Sequence, residues 1–288
     1  MNRKRLIYII GAGRSGTTVL DIILGNLDDA ISLGEINRYF KRQGTPPQRK
    51  SKDKTSLFWL DFKANLEKKN VKYSNCDAHQ KLLHRNEYHT ALKTLWRKPS
   101  EEYSRMMCDF YDTLICQTTN SLIIESSKYP LRAFHLSNLA TKTPFQVDFV
   151  YLKKDPLKVV KSFGKKGLEQ PPKGFWAANV YYLLINILCA WVTNRLRKKG
   201  HKVCLLTYEE LAESSTTALT RLGAELALDI SKPLTLILNK HPLQTGVMFD
   251  GNRIRLKDNI IFAPVAAERK GKNLKELITR VINYIIYR

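Results

Sequence analysis

Short runs of apolar residues alternate along the chain with longer stretches in which apolar residues recur every three or four positions. The short runs predict β-strands, and they fall at residues 5–10, 31–33, 121–124, 147–152 and 202–206. Several of these runs continue directly into a helical pattern, which is typical of βα units. The alternation therefore predicts an α/β fold with a mainly parallel central sheet.

The longer stretches predict helices, because one face of each would be apolar. They cover residues 17–26, 56–69, 78–97, 101–119, 131–140, 157–163, 176–199, 208–225, which need not be continuous, and 274–287. The helices from 56 to 119 lie between the second and third predicted strands. We therefore expect one domain over residues 1–288, with a helical cap or insertion at about 41–119.

The composition adds a strong excess of positive charge. Lys and Arg total 48 against 26 Asp and Glu, a formal net charge of +22, while 43% of the residues are hydrophobic. These values indicate a folded protein with an anionic partner, which is nucleic acid, membrane lipid or a phosphate-bearing ligand. Two segments, 41–54 and 164–174, predict either solvated surface loops or loops that close over a ligand.

The cysteines and the apolar runs bear on disulfides, metal binding and membrane insertion. The five cysteines include no Cys-x-x-Cys pair, and no His, Asp and Glu cluster has metal-ligand spacing, so we expect free thiols and no metal. No apolar run reaches about 18 uninterrupted residues, so we expect no transmembrane segment and a cytoplasmic location. The amphipathic segment 270–288 is compatible with peripheral membrane contact or with packing on the sheet.

A glycine-rich turn follows the first predicted strand, with the sequence Gly11-Ala12-Gly13-Arg14-Ser15-Gly16-Thr17-Thr18. Such a turn directs backbone N–H groups inward, and the following helix N-terminus adds positive potential, so the segment predicts an anion cradle. Its glycine spacing matches the phosphate-loop template, but Thr17 stands where the template has lysine. Nucleoside triphosphatases need that lysine, so ATP or GTP hydrolysis is disfavoured. Arg14 supplies the cation instead, and its planar fork suits a phosphate or sulfonate oxygen.

The segment from Gly13 to Thr18, together with Leu33-Gly34-Glu35, resembles the 5′-phosphosulfate-binding loop and first acceptor-side motif of sulfotransferases. These enzymes use 3′-phosphoadenosine 5′-phosphosulfate (PAPS). The resemblance is to the branch of bacterial sulfotransferases and Golgi-type carbohydrate and tyrosylprotein sulfotransferases. It implies a P-loop-type three-layer fold, PAPS binding and sulfuryl transfer to a hydroxyl. The residues that it assigns to the 5′-phosphosulfate are Gly13, Arg14, Ser15, Gly16, Thr17 and Thr18.

Two further segments resemble the family's 3′-phosphate motifs. Lys154-Asp155-Pro156, with Ser162 eight residues after Lys154, is similar to a strand ending in Arg-Asp-Pro with a serine at the same spacing. Lysine in place of arginine keeps the charge but loses the bidentate fork. The second segment, 251–255, resembles a late Gly-Asn-Arg-x-Arg motif of bacterial members. The residues that it assigns to the 3′-phosphate loop are Asn252, Arg253 and Arg255.

The catalytic candidates lie at the ends of the second and third predicted strands. Glu125-Ser126-Ser127-Lys128 resembles the family's Asp-Ser-Ser-Lys, which makes Lys128 the candidate to reach the sulfuryl group or the bridging oxygen. The resemblance makes Glu35 the base, and its place after a strand puts it at the carboxyl edge of the sheet beside the turn at 11–16. Alternatively, Glu35 forms a structural ion pair with Arg14 or Arg38.

Two other functions stay open for this sequence. One is a P-loop kinase of a small metabolite, and the other is a basic nucleic-acid-binding protein. Thr17 at the lysine position counts against the kinase. We find no aromatic-interleaved basic strand and no recognition-helix pattern, which counts against nucleic acid. The acceptor is open among carbohydrates, glycolipids and other hydroxyl compounds. The surplus positive charge favours an anionic glycan or glycolipid.

Overall fold

The computed structural model describes residues 4–49, 53–139, 145–165, 172–263 and 273–287. Its central sheet has the order β2-β3-β1-β4-β5, and every neighbouring pair is parallel. The strands are β1 (Lys4–Gly11), β2 (Ala30–Ser32), β3 (Leu122–Lys128), β4 (Phe145–Lys153) and β5 (Val203–Thr207). The predicted parallel sheet is confirmed, and each strand lies on one of the five apolar runs.

Helices cover both faces of this sheet. They are α1 (Thr17–Leu24), α2 (Lys54–Lys69), α3 (Cys76–Glu87), α4 (Glu101–Gln117), α5 (Pro130–Leu139), α6 (Pro156–Phe163), α7 (Phe175–Lys198), α8 (Tyr208–Glu213), α9 (Ser215–Leu226), α10 (Ser231–Leu238) and α11 (Leu274–Asn283). A small antiparallel pair joins β6 (Leu243–Gln244) to β7 (Asn259–Ile260). The α/β class with helical layers on either side of the sheet is thus confirmed.

The structure differs from the sequence prediction in two helical segments. The predicted helix at 78–97 ends at Glu87, and a separate turn of 3-10 helix covers Leu92–Leu95. The break follows from Tyr88, whose ψ of 146° is extended, and from His89 and Thr90, which have low helix propensity. The second segment is α10, which was not predicted. The stretch at 208–225, whose continuity the sequence left open, forms two helices, α8 and α9.

The core lies on the two faces of the sheet. On one face, α1, α8 and α9 cover Ile7, Ile9 and Val150. On the other face, aromatic residues of α2 and α4 join the same cluster as Tyr8 and Phe149 of the strands. Burying such large apolar side chains stabilises the fold by about 1.5–3 kcal/mol each. The helices between β2 and β3 therefore share the core of the sheet.

Two predicted loops lie partly outside the described residues. These parts are 50–52 of the segment 41–54 and 166–171 of the segment 164–174.

Among the described residues, one helix, α7, is long and apolar enough to cross a membrane by length and composition. The sequence analysis predicted this helix at 176–199 but did not count it as a membrane span, because Asn186 interrupts its apolar run. Asn186 is buried and accepts a hydrogen bond from the Tyr151 hydroxyl at 2.8 Å. Because α7 packs on α5, α6 and the sheet, it forms one wall of this fold.

Candidate active site

The glycine-rich turn lies between β1 and α1 at the carboxyl edge of the sheet. Gly16 has φ 90°, a left-handed conformation that costs an L residue roughly 1–2 kcal/mol. A Cβ atom on Gly16 would lie 2.3 Å from Cδ2 of Tyr208, so the turn packs directly against that ring. The first N–H groups of α1 have no carbonyl partner within the helix. The turn is therefore built to receive an anion at Thr17 and Thr18.

We expect Gly16→Ala to lower the free energy of unfolding by about 1–2 kcal/mol or more, because it adds left-handed strain to the clash with Tyr208. Denaturant unfolding measures the loss. Gly174→Ala is the matched control, since no atom lies within 4 Å of its added Cβ. Equal stabilities for the two variants would contradict the close packing described here.

A cleft of about 340 Å³ opens over this turn. It brings together predicted residues from five separate segments of the chain. They are Arg14, Gly16, Thr17, Thr18, Glu35, Lys128, Lys154, Ser162, Asn252 and Arg253. Arg38, which the sequence analysis named only as a possible ion-pair partner of Glu35, also lines it, and so do Lys165 and Tyr208. In the part of the chain that the structure describes, no group of three or more His, Cys, Asp and Glu is placed to hold a metal ion.

Three predicted residues do not line the cleft. Gly13 borders a neighbouring cavity, and its N–H donates to the Tyr181 hydroxyl at 3.0 Å. Ser15 is fully buried under the turn. Arg255 is also fully buried, where its guanidinium donates to the Gly251 carbonyl at 2.9 Å and lies 3.3 Å from Asp250 Oδ1. Arg255 thus holds the loop that presents Arg253 to the cleft.

The part of the cleft next to the end of β4 is lined by lysine ammonium groups. Lys154 Nζ lies 4.0 Å from the centroid of the Tyr208 ring, which stabilises the ammonium by a cation–π interaction. Burial removes water from the Lys154 ammonium and thereby lowers the pKa of Lys154. Ser162 of α6 and Lys165 line the same cleft. The strand-end cation Lys154 and the helix hydroxyl Ser162 therefore line the same cleft.

Glu35 lies where the cleft meets the carboxyl ends of β2 and β3, and it is 5% exposed. One carboxylate oxygen accepts a hydrogen bond from Lys128 Nζ, and the other lies 3.1 Å from Arg38 Nε. Burial alone would raise the pKa of Glu35, but the charges of Lys128 and Arg38 outweigh it and hold this pKa below its ordinary value. Glu35 is therefore ionised at neutral pH, and the pairing with Arg38 that the sequence left open is present.

The turn that carries Glu35 is held by two buried carboxylic residues. The Gly34 N–H donates to Asp21 Oδ2 at 3.1 Å, and the Ser32 hydroxyl donates to the other oxygen of Asp21. The Glu35 N–H donates to the Asp250 carbonyl at 2.9 Å. Burial raises the pKa of Asp21 to about 7. Asp21 therefore connects α1, the helix that follows the glycine-rich turn, to the turn that carries Glu35.

A second cavity of about 240 Å³ lies on the other side of Glu35 and shares Glu35, Arg38 and Lys128 with the cleft. Its other walls include five residues with aromatic rings and one further cation. These residues are Tyr88, His89, Tyr129, Phe163, Lys173 and Tyr181. Burial, and then the charge of Lys173, lower the pKa of His89, so its ring is neutral at neutral pH. A cationic cleft and an aromatic cavity thus meet at the Glu35–Lys128 pair.

The sequence analysis missed two features of this site. The aromatic cavity joins α7 to the end of α3, and no local pattern reveals that contact. Asp21 had a signal, because it is the single charged residue in an otherwise apolar helix with the sequence Thr-Thr-Val-Leu-Asp-Ile-Ile-Leu. A carboxyl group in such a position needs buried partners.

The chain resembles known proteins in sequence and in fold. The sequence model of the sulfotransferase family matches residues 7–232. No curated protein matches the chain in sequence. In fold it is similar to the sulfotransferase domain of the olefin synthase of Synechococcus PCC 7002, with 15% identity, a TM-score of 0.50 and coverage of 100% of this chain and 98% of that one.

Two further solved structures are similar over nearly the full chain. The sulfotransferase domain from the curacin biosynthetic pathway has 14% identity, a TM-score of 0.48 and coverage of 96% of each chain. A sulfotransferase from Alicyclobacillus acidocaldarius has 13% identity, a TM-score of 0.46 and coverage of 99% of this chain and 96% of that one.

Proposed function

Because this chain belongs to the sulfotransferase family and is an enzyme that transfers a sulfuryl group, we propose that it takes the group from PAPS and delivers it to a hydroxyl acceptor, with Glu35 as the base. The single observation that carries the proposal is the position of Glu35. Among the described residues that line the cleft and the aromatic cavity, Glu35 is the one carboxylate common to both, and neither lining contains another.

The cleft fits a polyanionic donor. The turn at 13–18 and Arg14 would hold the 5′-phosphosulfate, and the cations at the other end, Lys154 and Arg253, would hold the 3′-phosphate with Ser162. Such a donor supplies the activated sulfuryl group and a phosphate that departs as an anion. The positive charges that line the cleft stabilise that anion in the site.

Glu35 and Lys128 divide the chemistry between them. A hydroxyl acceptor in the aromatic cavity would meet the ionised Glu35, which takes the hydroxyl proton on a carboxylate oxygen. Lys128 Nζ, on the same carboxylate and facing the cleft, stabilises negative charge that develops on the donor side. Arg38 keeps its contact with the other oxygen of Glu35 and so holds the carboxylate in place.

Binding of 3′-phosphoadenosine 5′-phosphate tests the donor site. We expect this nucleotide to raise the Tm without Mg²⁺, since ligands stabilise the state that binds them. Arg14→Ala should weaken the affinity about tenfold or more, because it removes a charge-assisted contact to the phosphate. Arg221→Ala, a surface residue paired with Glu210 and Glu225, should leave it unchanged.

The same experiment separates the other two classes. Stabilisation by Mg-ATP alone would favour a kinase. Stabilisation by neither nucleotide, with salt-sensitive binding of an oligonucleotide, would favour a nucleic-acid-binding protein. Equal nucleotide affinity in Arg14→Ala and the unaltered protein would contradict the contact assigned to Arg14.

A further inference from the structure

Helix α11 is oriented with its polar side inward. Thr279 and Asn283, one turn apart, are completely buried, and the Glu276 side chain is 14% exposed. The opposite face is apolar and open to solvent, with exposed fractions between 57% and 85%. It comprises Leu274, Leu277, Val281, Tyr284 and Ile285. A helix on a water-facing surface normally shows the reverse arrangement.

Helix α7 continues this apolar surface. Its inner face packs in the core through Ala178, Tyr182 and Cys189. Its outer face is also apolar over about three turns, with exposed fractions between 47% and 62%. The outer residues are Trp176, Val180, Leu184 and Ile187. Of the 16 large hydrophobic residues that are exposed in the described structure, seven lie on α7 and α11 and two more, Tyr284 and Ile285, directly follow α11. They are therefore concentrated on two helices that pack together instead of being scattered.

Polar contacts fix the two helices to each other, and they fix α11 and the residues after it to α6 and α8. Asn283 Nδ2 donates to Asn179 Oδ1 at 3.0 Å in a buried contact between α11 and α7. Lys161 Nζ lies 3.0 Å from Glu276 Oε1, and the Tyr287 hydroxyl donates to Glu209 at 2.6 Å. These anchors require the polar side of α11 to face inward, so its apolar side is held outward by the fold. We call the nine exposed residues together the α7–α11 face.

The charges beside this face are positive. Helix α7 contains no acidic residue, and it ends with Arg195, Arg197 and Lys198. The single acid of α11, Glu276, is paired with Lys161, while Lys275 and Arg280 are exposed. A second copy of the chain would present the same cations and a net charge of +22, so self-association at this face meets electrostatic repulsion. An anionic lipid surface offers both the apolar layer and the opposite charge.

We propose that the α7–α11 face docks on the surface of an anionic membrane, with its apolar residues at the boundary between headgroups and acyl chains. Trp176 and Tyr284 carry the ring types that favour this interfacial layer. The aromatic cavity is on the same helix, because Tyr181 of α7 and Lys173, just before α7, line it. The helix that docks therefore also contributes a wall residue to the cavity beside Glu35.

Vesicle co-sedimentation of the full chain tests this proposal without any enzymatic readout. We expect binding to phosphatidylcholine vesicles that contain about 30 mol % phosphatidylglycerol, and weaker binding to phosphatidylcholine alone. Leu184→Glu should reduce the bound fraction on the order of tenfold, because it places a charge where an apolar side chain is buried. The matched control is Leu60→Glu on α2, since Leu60 is 61% exposed and Leu184 is 60% exposed.

Val281→Glu repeats the test on α11, at a residue that is 68% exposed. Unaltered Tm values show that the variants stay folded. Absence of binding to the anionic vesicles, or equal losses in Leu184→Glu and Leu60→Glu, would overturn the proposal. A protein that is dimeric in solution and becomes monomeric with Leu184→Glu would also overturn it, since the face would then be covered by a second copy. None of these results depends on whether the chain uses PAPS.

Discussion

Glu35→Gln is expected to cut sulfuryl transfer about a hundredfold or more, because the amide cannot take the acceptor proton. Glutamine has the same size and can still contact Arg38, so the turn should keep its place. Affinity for 3′-phosphoadenosine 5′-phosphate should not fall, since the phosphate-binding residues are unaltered. Transfer from labelled PAPS measures turnover, with the acceptor chosen by screening polysaccharides, glycolipids, phenols and tyrosyl peptides.

Glu213→Gln serves as the control, because Glu213 is exposed on α8 and lines neither cavity. Its turnover should match that of the unaltered enzyme. Normal turnover in Glu35→Gln would remove Glu35 as the base, whatever the nucleotide affinity. A loss of both turnover and nucleotide affinity would instead indicate that the carboxylate maintains the cleft.

We expect Lys128→Met to lower the rate of sulfuryl transfer and to change its pH dependence. The rate should fall about a hundredfold, because the cation that stabilises developing charge is lost. The charge of Lys128 also opposes the effect of burial on Glu35 and keeps the pKa of that carboxyl low. Without Lys128 this pKa rises, so Glu35 becomes protonated at a higher pH. Since the base must be ionised, the acid limb of kcat/KM should move to higher pH.

Lys165→Met is the control for the pH profile. Lys165 lines the same cleft, but the charges that lower the pKa of Glu35 come first from Lys128 and Arg38. We expect weaker donor binding in Lys165→Met with the acid limb in its original place. An acid limb that is the same in Lys128→Met and in the unaltered enzyme would contradict the coupling between Lys128 and Glu35.

The edge of the sheet where this site lies could be predicted from the sequence. Apolar runs located each strand of the central sheet, and the carboxyl ends of parallel strands meet at one edge. Residues directly after β1, β2, β3 and β4 therefore converge, as Arg14, Glu35, Lys128 and Lys154 do in the cleft. Arg255 lies in a loop motif and not at a strand end, and its burial against Asp250 could not be read from spacing.

What the sequence could not supply is the direction in which a helix face points. The period of α11 was recognised, but a period does not say which side is buried. Its polar side is inward because Asn179 and Glu209 provide partners from distant parts of the chain. Glu125 is a similar case. It follows the predicted strand at 121–124 within a family-like motif, but in the structure it lies inside β3, and its Oε1 atom lies 2.8 Å from Arg132 Nε in a buried ion pair.

The two cavities at Glu35 are supplied by different parts of the chain. Among the described residues, none that lines the cleft lies between 41 and 119, whereas Tyr88 and His89 of this segment line the aromatic cavity. Under the proposed function, substitutions at Tyr88 or His89 would alter the acceptor side of the site and leave the residues assigned to the donor in place. Acceptor specificity could then change in an enzyme that retains its donor.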